Sequence, residues 1–237
     1  MSGAYCGRGV SYEKLERYQD ALRDLSNAIR LDSSDAIYFY NRGNVQSRME
    51  EYSQALADYT AALHRDPDFP SAYYGRGMAY KELKKLEPAI DDFSAAIRLK
   101  PDYAQAYFYR AVCRQMLGNL HAAIKDCQEC LKYDVGSYLV HYNFGFLLEK
   151  IGERAMALVH YGEAIRLNPD ELYPYINRSH CYYEYHDYEN ASNDMVHILT
   201  TIAESDCKLL YLDAVLDTFN PRWYEKYDHA PSTEEVK

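Results

Sequence analysis

Ala21, Ala55, Ala89, Ala123, Ala157 and Ala191 follow one another at a constant interval of 34 residues, with no insertion anywhere between them. Around most of them the same phrase recurs, Ala-(Ile/Leu)-x-Asp, with a second small residue seven positions on. A fixed period of this length marks a chain built from one supersecondary unit, repeated and stacked, because a single unit of that size cannot bury its own apolar stripe. Counting the anchoring alanine as position 20 gives six repeats, at 2–35, 36–69, 70–103, 104–137, 138–171 and 172–205.

Other positions keep their character in this register. Position 8 is small throughout: Gly9, Gly43, Gly77, Ala111, Gly145 and Ser179. Position 27 reads Ala28, Ala62, Ala96, Cys130, Ala164 and Ile198. Position 4 is large (Tyr5, Phe39, Tyr73, Tyr107, His141, Tyr175), and is read as a knob facing the small residues of a closely approaching helix. Pro67, Pro101 and Pro169 at position 32 end the second helix of their units.

This pattern resembles the tetratricopeptide repeat family over residues 2–205, most closely in repeats 2, 3 and 5. The resemblance implies an all-α fold, in which antiparallel helix pairs stack into a right-handed superhelix (an α-solenoid) with a concave groove lined by the first helix of each pair. Residues 206–219, with Leu209, Leu210, Leu212, Val215, Leu216 and Phe219, are expected to form a C-terminal capping helix, and 220–237 a tail.

One departure from the family recurs with the period. Position 7 is Arg8, Arg42, Arg76, Arg110, Phe144 and Arg178, and position 23 is Asp24, Asp58, Asp92, Asp126, His160 and Asp194. The repeat that loses its Arg also loses its Asp, so each pair is expected to bridge the two helices of one repeat. The other reading, an arginine ladder binding carboxylates, requires those arginines to be free and aimed into the groove.

The family's ligand-facing positions are 2, 5, 6, 9, 12 and 13 of the first helix. At position 5 the chain carries four consecutive aromatics, Tyr40, Tyr74, Phe108 and Tyr142, expected to run as a stripe along the groove. Packing between adjacent repeats is the other use for such rings. Asn41, Asn143 and Asn177 at position 6, Asn44 at position 9 and Arg48 at position 13 are the polar groove candidates beside them. The carboxylate clamp of chaperone-binding family members is incomplete in every frame; of its residues in the frame starting at repeat 2, only Asn44 is present.

Composition narrows the function further. The net charge of −10 disfavours nucleic acid or an anionic membrane as the main partner, and residues 172–237 carry −7 of it. No apolar run has membrane-spanning length, the sequence opens without a signal-peptide pattern, and the six Cys fit a reducing, cytoplasmic setting. Cys127 and Cys130 have zinc-like spacing, but positions 24 and 27 are core positions elsewhere, so they are read as small buried hydrophobes. No phosphate loop, metalloprotease motif or nucleophile setting is present. The expectation is a non-catalytic adaptor without metal, cofactor or small-molecule substrate, holding a peptide or helix of another protein. The alternative is a structural subunit of a cytoskeletal or ciliary assembly that uses its convex face and edges.

Overall fold

Each 34-residue period folds into two helices joined by three residues, and the computed structural model describes residues 1–204. The first helices of the repeats are α1 (Ser2–Lys14), α3 (Ala36–Arg48), α5 (Pro70–Glu82), α7 (Ala104–Met116), α9 (Tyr138–Lys150) and α11 (Leu172–Glu184). The second helices are α2 (Tyr18–Leu31), α4 (Tyr52–Arg65), α6 (Leu86–Leu99), α8 (Leu120–Tyr133), α10 (Arg154–Leu167) and α12 (Tyr188–Glu204). Among the described residues there are no strands. The segments read as cap and tail, 206–219 and 220–237, lie outside the described residues.

The chain divides between Leu117 and Gly118 into two compact units. Unit 1 contains α1–α7 and unit 2 begins with α8; within each, consecutive helices pack on one another. The alanine anchors Ala21, Ala55, Ala89, Ala123 and Ala157 are all fully buried, which lets neighbouring helix backbones come close.

The small residue at position 8 meets a different partner from the one its sequence suggests. A Cβ on Gly43 would lie 2.9 Å from the Tyr59 ring, on Gly77 2.9 Å from Phe93, and on Gly145 2.8 Å from Tyr161. The knob is therefore position 24 of the second helix, not position 4. Position 4 instead lies under the arginine one turn later: the guanidinium carbon of Arg42 is 5.9 Å from the Phe39 ring centroid, and that of Arg76 5.6 Å from Tyr73. An i, i+3 pair shares a helix face, which brings the two together.

Turns and helix ends follow local chemistry. Position 15 lies in the left-handed region in all six repeats: Glu16, Glu50, Lys84, Gly118, Gly152 and His186 have φ between 57° and 86°. That conformation closes the three-residue connection, and only two repeats use glycine for it. Asp66, Lys100 and Asn168, which each precede a proline, adopt extended backbone that stops α4, α6 and α10.

Candidate functional site

The recurring Arg and Asp meet inside repeats 1, 2, 3 and 6. Arg42 donates through Nε and Nη2 to the two carboxylate oxygens of Asp58 at 2.7 and 2.8 Å, and Arg76 grips Asp92 at 2.8 and 2.7 Å. Arg178 holds Asp194 in the same fork at 2.9 and 2.6 Å, and Arg8 holds Asp24. The aspartates are buried. The remaining Nη1 reaches back one repeat, from Arg42 to Ser26 at 3.2 Å, Arg76 to Thr60 at 3.3 Å and Arg110 to Ser94 at 2.9 Å. Arg42 and Arg76 thus spend most of their donors on the scaffold and have little left for a ligand. Arg110 belongs to unit 1 and Asp126 to unit 2.

Repeat 5 solves the same problem without ions. Phe144 stacks against His160 with centroids 4.2 Å apart, and the Nδ1 atoms of His160 and His141 lie 3.0 Å apart. Burial and the neighbouring His141 lower the pKa of His160 to about 4, so its ring is neutral near pH 7.

The position-5 rings are half-buried. In unit 1, Tyr40 packs on Phe69 and Tyr59 at 4.8 and 6.0 Å, and Tyr74 on Tyr103, Phe93 and Tyr109 at 5.1, 5.9 and 6.0 Å. Phe108 packs edge-on to Tyr109 at 5.1 Å. In unit 2, Tyr142 packs on Tyr161 at 6.1 Å. Tyr40, Tyr74 and Tyr142 thus belong to inter-helix packing on one side and retain partial exposure on the other, while Phe108 meets its neighbour within α7.

The polar candidates separate into two groups. Arg48 is exposed and pairs with Glu13 at 3.4 Å. Asn41 and Asn44 are half-buried, the first donating to the Cys6 sulfur at 3.3 Å, the second accepting from the Tyr59 hydroxyl at 2.9 Å. Asn143 and Asn177, expected as groove contacts, are instead buried at 6% and 2% exposure. Asn143 accepts from the Cys127 thiol at 3.8 Å, and Asn177 donates to the hydroxyls of Tyr142 and Tyr161, both at 3.4 Å. Position 6 faces the preceding repeat's second helix, so its amides serve packing in this unit.

The sequence reading missed a polar cluster in unit 2. Glu149, at position 12 of α9, is buried and accepts from Tyr161 Oη at 2.6 Å, with His180 Nδ1 3.1 Å from its other oxygen. Burial together with the Glu149 charge pushes the Tyr161 phenol and the adjacent Cys181 thiol upward, so both stay neutral. The signal was available: Glu149 and His180 occupy ligand-facing positions 12 and 9, which other repeats fill with residues such as Ser47 and Asn44.

Cys127 and Cys130 are buried in the core of unit 2, and burial raises the Cys127 thiol well above its ordinary value. Among the described residues no three His, Cys, Asp or Glu side chains are grouped to hold a metal ion, and no helix is long and apolar enough to cross a membrane.

Tetratricopeptide repeat models match residues 2–35, 40–104 and 89–132, together more than half of the chain. No curated protein sequence matches it. Among solved structures, PilF of Pseudomonas aeruginosa superposes with a TM-score of 0.75 at 18% identity, covering 86% of this chain and 93% of its own. YrrB gives 0.63 at 25% identity, covering 72% and 88%. MamA of Desulfovibrio magneticus gives 0.66 at 19% identity, covering 72% and 96%. With the period, the paired helices and these matches in agreement, the chain is a member of the tetratricopeptide repeat family.

Proposed function

We propose that the chain is a non-catalytic adaptor that takes up a peptide or helical segment of another protein on the first-helix face of its repeats. The observation that carries this reading is the half-buried aromatic series at position 5: Tyr40, Tyr74 and Phe108 in unit 1 and Tyr142 in unit 2. Rings fixed on one side by packing and open on the other present large apolar area at low entropic cost. YrrB, to which the chain is 25% identical, is described as having an unusual peptide-binding site, in keeping with a peptide ligand. Because the rings also pack, the test replaces all four with leucine, which keeps volume and removes the aromatic faces. Recovery of a native partner should be lost while helicity is retained; undiminished recovery would sink the assignment.

A second reading, a structural subunit of a larger cytoskeletal or ciliary assembly, is favoured by one feature. The outer side of α10 exposes Met156 and Val159 at 50% and 62%, where α2 carries the charged Asp20 and Arg23. Isolated exposed apolar residues are common, but a pair at i, i+3 makes a small docking face. Substituting both by glutamate separates the readings: it should break a convex contact and leave groove binding intact.

A further inference from the structure

The cluster around Glu149 has a counterpart within the same chain that shows what the fold alone requires. In repeat 2, the hydroxyl of Tyr59 donates to Asn44 at 2.9 Å and lies 3.1 Å from the Ser47 hydroxyl, so two neutral groups, at positions 9 and 12, satisfy the buried phenol. In repeat 5, the equivalent Tyr161 donates to Glu149, a carboxylate whose side chain is only 6% exposed. Repeat 5 has Phe146 at position 9, so Glu149 takes over the acceptor role of Asn44, and its carboxylate, shared with His180 at 3.1 Å, adds negative charge that the phenol alone does not require.

A second observation points the same way. Asn177 is 2% exposed, spends its amide hydrogens on Tyr142 and Tyr161, and leaves Oδ1 with no hydrogen-bond partner. Buried orphan acceptors are uncommon and call for a donor. The Oε1 atom of Glu171, at the start of α11, is a second one. The charges of Glu149 and Glu171 both bear on Tyr142 and, after burial, contribute to holding its phenol neutral. Asn177 thus links the hydroxyl of Tyr142, one of the four rings proposed as anchors, to that of Tyr161, which donates to Glu149.

We infer that this corner of unit 2, formed by Glu149, Asn177 and Tyr142, receives one basic side chain, lysine or arginine, of the segment bound on the first-helix face. The inference rests on the groove reading above and adds the chemistry of the ligand. The ammonium or guanidinium donates to the Glu149 carboxylate and to Asn177 Oδ1, while its aliphatic stem lies along the Tyr142 ring. His180, whose side chain is 23% exposed, is the group that must yield Glu149 Oε1 to the incoming cation.

The test uses fluorescence anisotropy with the full chain and four pools of short peptides, random except for one fixed central residue: lysine, arginine, norleucine or glutamate. Wild type should bind the lysine and arginine pools at least about tenfold more tightly than the norleucine pool, and the glutamate pool most weakly. Glu149→Ser, which copies the serine found in repeat 2, should bring the four pools to within about twofold of each other while keeping norleucine-pool binding and helicity. If that variant does not fold, Glu149→Gln, which keeps the side chain's shape and removes its charge, is the substitute and should narrow the preference several-fold. Pools that bind equally well to wild type, a preference for glutamate, or a lysine preference untouched in the folded variant would overturn the basic-residue assignment and leave the groove standing. Absence of binding by every pool would sink the groove reading, and this inference with it.

Discussion

Arg42 spans the two helices of its repeat to hold both carboxylate oxygens of Asp58, at 2.7 and 2.8 Å. Asp58 is 5% exposed, so removing Arg42 strands a buried charge. Arg42→Leu is expected to destabilise by about 3 kcal/mol, whereas Arg42→Leu combined with Asp58→Leu should recover most of that loss. Urea unfolding of the two single variants and the double variant measures the coupling; additive losses would show that the pair does not act as a unit.

The left-handed residue at position 15 yields a gain. Glu16 and Glu50 have φ of 57° and 60°, a conformation that costs a residue bearing a Cβ roughly 1 kcal/mol. Glu16→Gly and Glu50→Gly should each raise stability by about 0.5–1 kcal/mol, and Gly152→Ala, at φ 86°, should lower it. Thermal melting distinguishes these signs directly.

Repeat 5 makes stability sensitive to acid. His160 is faced by His141 and Phe144 from α9 and lies near Glu163 on its own helix, and its pKa is lowered from 6.5 to about 4. Between those values the unfolded chain binds more protons than the folded one. The stabilising contribution is therefore complete above pH 6.5 and falls as the pH drops toward 4, by about 2 kcal/mol. Phe144→Arg with His160→Asp installs the pair used by other repeats and should flatten this part of the profile, as read from melting midpoints at pH 7, 5.5 and 4.5.

The period, the helix pairs and the Arg–Asp bridges were legible because each depends on residues fixed at one spacing within one unit. The partner of position 8 was not: both position 4 and position 24 are large, and only the helix crossing shows that Tyr59 rather than Phe39 fills the space beside Gly43. Asn143 and Asn177 were misplaced for a related reason. Position 6 lies at the edge between the ligand face and the preceding repeat, and here the tyrosine hydroxyls and a thiol draw both amides inward. The Glu149 cluster was legible only in part: Glu149 and His180 stand at ligand-facing positions of two different repeats, and only the helix packing shows Glu149 held between Tyr161 and His180.

The central claim concerns which face meets the partner, and cross-linking mass spectrometry of the native complex tests it most directly. Lysines report on both sides: Lys14, Lys81 and Lys150 stand at positions 12 and 13 of first helices, while Lys125 and Lys132 are exposed on the second helix α8. The account predicts partner cross-links at Lys81 and Lys150, sharply reduced when Tyr40, Tyr74, Phe108 and Tyr142 are replaced by leucine. Cross-links confined to Lys125 and Lys132, and unaffected by those substitutions, would contradict it.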